Sequence, residues 1–344
     1  MSNFFRDLVE ELRDEDTTLA VDGAGAAEFG SFIDSGSYAL NAVLSGSLYG
    51  GVPDNKITGF AGESATGKTF FVLGVVKSFL DRNPEAGVVY YDTEAAITKE
   101  MMESRGIDVN RVILAEPDTI QKFKTHALKM LEAYIGRPEN KRPPMMFVLD
   151  SLGMLSTTKE MEDSLEGKDV RDMTKSQIIK AAFRVLTLKC AKAKVPLIVT
   201  NHVYELVGSY VPTKELGGGT GLKYAASTIA MLTKKREKDG DEIIGNVIKV
   251  KMYKSRLSKE HSQAEVLLTY AKGLDRYYGL LDIAEKHGIF KKVSTRYELP
   301  DGRKVFGKEI NNNPTAYYNE DVMKALEQAV QKEYKYGAGV DESQ

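Results

Sequence analysis

Residues 62–69 read Gly62-Glu63-Ser64-Ala65-Thr66-Gly67-Lys68-Thr69, set between a short apolar run at 57–60 and a stretch of helical periodicity over 69–82. No other segment restricts the fold as tightly. G-x-x-x-x-G-K-T, entered from a strand and left through a helix, is the spacing of a phosphate-binding loop. Gly62 and Gly67 let the backbone wrap an anion with its N–H groups, and the helix N-terminus adds partial positive charge. Lys68 is placed to reach the β- and γ-phosphates, and the Thr69 hydroxyl to ligate a magnesium ion. The loop therefore predicts a site for ATP and Mg2+ formed by residues 62–69.

A phosphate loop needs a sheet beneath it, and the chain supplies one. Apolar runs at 57–60, 88–91, 112–114, 145–149 and 197–200 alternate with helical segments near 69–82, 98–105, 119–135 and 171–193. This alternation predicts the α/β class, with a mainly parallel sheet flanked by helices. Ligands in such sheets bind at the carboxyl ends of strands. Three further strand ends carry chemistry. Met-Met-Phe-Val-Leu-Asp150 ends in a carboxylate suited to the magnesium shell, partly through water. Val-Tyr-Tyr-Asp92-Thr-Glu94 brings Glu94 to the edge as the candidate that orients or deprotonates water; a solvated loop carboxylate is the other reading. Pro-Leu-Ile-Val-Thr200 ends in Asn201-His202, where His202 is either a γ-phosphate sensor or a merely hydrogen-bonded histidine.

The remaining pattern is simpler. Three strand-like runs at 228–233, 247–252 and 264–270, with a turn at 238–241, are expected to extend the sheet antiparallel. Residues 276–336 read as a small α+β module: a helix from 280, a hairpin turning at Asp301-Gly302, and a closing amphipathic helix at 319–333. Phe4, Phe5, Leu8 and Leu12 form one helical stripe, followed by a linker-like stretch at 15–36. That helix either docks on a neighbouring subunit or packs locally. The expected organisation is an N-terminal helix and linker at 1–34, a core at 35–275, the module at 276–336 and a disordered tail at 337–344.

A single cysteine, Cys190, excludes an internal disulfide and fits a reducing, cytoplasmic setting. Four histidines and one cysteine argue against a zinc site. The start lacks the layout of a signal peptide, and no run reaches the length of a membrane span. A net charge of −2 is not the footprint of a nucleic-acid binder, so DNA contact must come from local patches or from many subunits together.

Taken in order, the four strand ends resemble the RecA family of recombinases, and within it the UvsX type of tailed phages. The likeness covers about residues 30–335, through GESATGKT, YYDTE, FVLDSLGML, VTNHVYE, ELGGGTGLKYAAS and KMYKSR. It implies a RecA-like core in which Glu94 is the catalytic glutamate, Asp150 the acid of the magnesium shell and His202 the allosteric sensor. It also implies DNA-binding loops near 153–172 and 203–221, where Lys168, Arg171, Lys214, Gly217, Gly218 and Gly219 are the candidate contacts. Lys254 and Arg256 fall on two cations that reach ATP from the neighbouring subunit. Met101 stands where the family has an adenine-stacking tyrosine.

The function so implied is ATP-dependent strand exchange by a filament on single-stranded DNA, paired with homologous duplex, in recombination, recombination-dependent replication and repair. Implied partners are single-stranded and duplex DNA, a helical homo-oligomer, a recombination mediator and a single-strand-binding protein, with no membrane. Two alternatives share the core: a hexameric helicase, and a DNA-binding mediator for which ATP is only a switch. Glu94 argues against the second, and the absence of a separate primase-binding domain against the first.

Overall fold

Period-2 alternation in the apolar runs decides the centre of the molecule, because successive side chains of a strand face opposite layers. The computed structural model describes residues 4–12, 17–22, 28–168, 172–205, 214–239, 242–269 and 273–336. The strands are β1 (Phe32–Ile33), β2 (Val52–Pro53), β3 (Ile57–Gly62), β4 (Gly87–Asp92), β5 (Val112–Ala115), β6 (Met145–Asp150), β7 (Leu197–Glu205), β8 (Lys214–Leu216), β9 (Thr228–Asp239), β10 (Glu242–Ser255), β11 (Gln263–Thr269) and β12 (Gly273–Leu274). The main sheet has the order β12-β11-β10-β9-β3-β7-β6-β4-β5, and β8 pairs with β7.

Six strands, β5-β4-β6-β7-β3-β9, run parallel. β10, β11 and β12 continue antiparallel. The expected α/β fold is therefore present, with one difference. β9 was expected in the antiparallel extension, but it lies parallel to β3. β8 runs back antiparallel to β7 before the short helix that precedes β9, so β9 enters in the same direction as β3 and β7.

The helices are α1 (Phe4–Leu12), α2 (Tyr38–Ser45), α3 (Lys68–Arg82), α4 (Lys99–Glu103), α5 (Ile120–Ile135), α6 (Thr158–Leu165), α7 (Lys175–Ala193), α8 (Gly221–Ala225), α9 (Leu280–Lys286), α10 (Gly307–Asn312) and α11 (Glu320–Tyr334). On one face of the sheet, Phe60, Tyr90, Val148, Ile198, Ala230 and Leu232 are buried in one cluster with α2 and α3. On the other, Ala61, Tyr91, Phe147, Leu149 and Val199 are buried with α5 and α7. Cys190 lies in this second layer, and burial pushes its thiol up to about 12, so it is inert.

The 276–336 segment carries α9, α10, α11 and a three-stranded sheet of β13 (Lys291–Val293), β14 (Arg296–Glu298) and β15 (Lys304–Phe306). Its apolar residues do not form a core of their own. Leu280, Leu326 and Val330 belong to the same buried cluster as Val43 of α2 and Val76 of α3.

At the opposite end, α1 buries none of its residues, and Phe4, Phe5 and Leu12 are more than half exposed. Composition reads 15–36 as linker, yet its last residues are tied down. β1 pairs with β2, and Asp34 accepts from Asn41 Nδ2 at 2.9 Å and from Arg276 at 2.6 Å. Gly and Ser there serve close approach: a Cβ on Gly30 would lie 2.9 Å from Asp54. The tail at 337–344 and the turn residues 240–241 lie outside the described residues. Among the described residues, no helix is long and apolar enough to cross a membrane.

Candidate functional site

β3 ends at Gly62 and α3 begins at Lys68, so the loop between them closes over the sheet's carboxyl edge. Both glycines are required by space. A Cβ on Gly62 would meet Thr66 Oγ1 at 2.7 Å and the Leu232 carbonyl at 2.8 Å; one on Gly67, at φ 85°, would meet Leu268 at 2.7 Å. Glu63, Ser64 and Ala65 are exposed, while Thr66 and Lys68 are buried. Lys68 Nζ donates to the Gly62 and Glu63 carbonyls at 3.1 and 2.8 Å. Burial pushes its pKa below the usual lysine value, and Glu94 and Asp150 partly offset this.

Register brings the other strand ends alongside. Gly62 is level with His202 on β7, and Asp92 with Asp150. Asp150 Oδ2 accepts from Thr69 Oγ1 and from Tyr90 OH, each at 2.8 Å; Oδ1 accepts from Thr200 Oγ1. Tyr90, Asp150 and Thr200 meet because they share the α3 face of adjacent strands. Motif reading missed Tyr90 and Thr200. Their signal was the period-2 alternation combined with strand order, and the order was not in the sequence motif.

Glu94 is aimed by its neighbours. Asp92 accepts from the Glu94 and Ile97 N–H groups at 3.0 and 2.9 Å, so Asp92 shapes the turn. Thr93 Oγ1 donates to the Ser151 carbonyl at 2.8 Å and accepts from the Ser151 N–H at 2.7 Å, clamping β4 to β6. Glu94 Oε1 then accepts from Ser151 Oγ at 2.7 Å and pairs with His202 Nε2 at 3.0 Å. Burial pushes the Glu94 carboxyl up, but hydrogen bonds from His202 and Ser151 and the charge of Lys68 outweigh it, and its pKa lies below the usual glutamate value.

From His202 the network continues outward. The His202 carbonyl accepts from the Gly217 N–H at 2.9 Å, and Asn201 Nδ2 donates to the Gly217 carbonyl at 2.8 Å. The 203–221 segment is therefore not wholly a loop: Val203 pairs with Leu216 and Glu205 with Lys214 as antiparallel strands, and α8 begins at Gly221. Gly217 is buried, Gly218 half-buried and Gly219 exposed. Lys168, at the end of the 153–172 segment, is exposed and pairs with Glu166 at 2.5 Å. Arg171 and the side chain of Lys214 lie outside the described residues.

Lys254 and Arg256 stand apart from this chain's loop. A bulge in β10 shifts the pairing from Met252–Ala230 to Lys254–Ile229, turning Lys254 to the face opposite Met252. Its Nζ donates to the Lys223 carbonyl at 2.6 Å at the end of α8, and Arg256 is exposed. Met101 is half-buried in α4, packed against the α3-side cluster.

The site fits its expected occupants. Exposed loop amides, a buried ammonium and glycines that leave room for no Cβ suit a polyphosphate. Thr69 and Asp150 offer the hard oxygen donors that magnesium takes. Fold and site together define a P-loop ATPase.

Residues 19–275 match the RecA N-terminal domain family. The chain is 34% identical over 253 residues to the "Recombination and repair protein" of Enterobacteria phage T4, a match spanning 74% of this chain and 63% of that protein. It is 29% identical over 309 residues to "Protein RecA" of Lactobacillus johnsonii, covering 88% of this chain and 81% of the relative. With "Protein RecA" of Streptomyces ambofaciens it shares 26% identity over 310 residues, covering 90% and 78%. The chain belongs to the RecA family, the ATP-binding, DNA-binding recombinases of recombination and repair.

Proposed function

We propose that this chain is a DNA-dependent ATPase that assembles as a helical homo-oligomer on single-stranded DNA and exchanges it with homologous duplex. The reading is carried by the linked path Glu94–His202–Gly217, which ties the hydrolytic carboxylate to the 203–221 segment. A group that binds DNA at one end of this path can change the position of Glu94 at the other.

ATP is held by residues 62–69, and magnesium by Thr69 and Asp150, partly through water. When bound, the metal neutralises charge on the phosphate oxygens. Lys68 leaves the loop carbonyls for the β- and γ-phosphates. Glu94, kept ionised by His202, Ser151 and Lys68, orients the attacking water and accepts its proton. A γ-phosphate offers His202 a second acceptor, and the resulting shift is passed to Gly217 through the His202 carbonyl. Lys254 and Arg256 act on the neighbouring subunit's ATP, as an arginine finger does. Lys168, Arg171, Lys214, Gly217, Gly218 and Gly219 lie in the segments assigned to DNA; weak global charge suffices because assembly multiplies modest contacts.

The domain division at 34, 275 and 336 belongs to the same reading, as do a mediator and a single-strand-binding protein as partners and the cytoplasm as the place of action. The test is a D-loop assay with ATP and Mg2+, alongside ATP turnover with and without single-stranded DNA. Wild type forms D-loops only with homologous duplex, and Lys68→Ala forms none. D-loops at the wild-type level from Lys68→Ala, or strand displacement without D-loops, overturn the assignment.

A further inference from the structure

β9 runs parallel beside β3, with Leu232 level with Gly62. It does not stop there but continues to Asp239, past the phosphate loop. Ala230 and Leu232 face the α3 layer. Two residues further on, Lys234 shares that face by the period of the strand. Across the ladder it sits opposite Ile248, which is buried in the same layer. The exposed Lys234 side chain thus extends beside the loop, and its Nζ donates to the Ala65 carbonyl at 2.9 Å, across 169 residues of sequence.

Ala65 is the crest of the loop and carries a φ of 57°. A non-glycine residue there is strained and needs a restraint to hold it. In a trans peptide the carbonyl and the following N–H point in opposite directions. With the Ala65 carbonyl turned to Lys234, the Thr66 N–H is turned away from the ammonium. Thr66 is buried and its Oγ1 donates to the Glu63 carbonyl at 2.9 Å, so the residue cannot swing freely.

We propose that Lys234 is a positioning residue of the phosphate loop: from outside, it fixes the Ala65–Thr66 peptide so that the Thr66 N–H faces the bound polyphosphate. The proposal rests on the loop being the ATP site. Lys234 does not touch the nucleotide; it supplies a pre-aimed donor that Lys68 and the glycines alone do not guarantee. The chemistry it serves is the phosphate chain, so ADP and ATP should both feel its loss.

The measurement is binding of a fluorescent ATP analogue with Mg2+ to the full chain, without DNA. Omitting DNA keeps any phosphate-backbone contact of Lys234 and Lys235 out of the reading. Lys234→Met should weaken binding about three- to tenfold, as expected for one lost charge-assisted hydrogen bond. In a separate turnover assay at saturating single-stranded DNA, its KM for ATP should rise by a similar factor with kcat within about twofold of wild type. Lys234→Arg, which keeps the donor and charge, should bind within about twofold of wild type. Equal binding by wild type and Lys234→Met, with Lys68→Ala binding lost, overturns this inference alone. No ATP binding by wild type overturns the reading of the loop as well.

Discussion

The base role proposed for Glu94 asks for an ionised carboxylate at neutral pH, and the groups around it favour that form. Its lowered pKa means that the folded chain holds the carboxylate more strongly than the unfolded chain does. The associated stability is present above the ordinary glutamate pKa and is lost as pH falls through the folded one. Activity should follow the same sign. The acid limb of DNA-stimulated ATP turnover should lie below the ordinary glutamate range, and His202→Ala should move it upward, because a hydrogen bond favouring the charged form is gone. Glu94→Gln should keep ATP binding and slow turnover by about a hundredfold or more; stopped-time phosphate release across roughly pH 3–7, which brackets the ordinary glutamate pKa, measures the acid limb and the loss of turnover. The motif at 62–69 and the carboxylates of Glu94 and Asp150 were legible from residue type and strand position. Tyr90, Thr200, Ser151 and Lys234 were not, because ordinary side chains become significant only when register sets them beside a functional atom.

Between elements, the decisive junction is β7 with β8. Glycines 217–219 read in sequence as a pliant stretch, yet Gly217 is pinned by His202 and Asn201. A side chain there has no space: its Cβ would come within 2.8 Å of the Tyr204 ring and 3.2 Å of the His202 carbonyl. Gly217→Val should leave nucleotide binding within about twofold but reduce the stimulation of turnover by single-stranded DNA about tenfold or more, since it breaks the join and not the loop. Equal stimulation in both proteins would show that the join carries no signal. Element types and most spans were readable from periodicity, including β3, β4, β6 and the long helices. The direction of β9 was not, because an apolar run carries no sign of which neighbour it will meet. The pairing of β8 was hidden for a related reason: three residues of strand are held by their partner and not by their own propensity.

At the scale of the whole molecule, two features look outward: the exposed stripe of α1, and Lys254 with the exposed Arg256, where Lys254 Nζ is held by the Lys223 and Tyr224 carbonyls of α8 and not by this chain's loop. Mixed assemblies of Lys254→Ala with Lys68→Ala chains test the trans role. Wild-type Lys254 on the Lys68→Ala chain should restore turnover at the neighbour's intact loop, giving more activity than either variant alone; no gain on mixing, with co-assembly verified by sedimentation, removes Lys254 from the neighbour's site. The trans role is what the family resemblance implies and residue patterns do not, since an exposed basic pair is common on any surface. The sequence reads the 276–336 segment as a small module, and its Leu326 and Val330 lie in one buried cluster with residues of α2 and α3. For inheritance, that shared seam has a cost. A lineage cannot discard or exchange the terminal segment as a detachable accessory without also resurfacing α2, so changes on α11 and on α2 have to be accepted together or not at all.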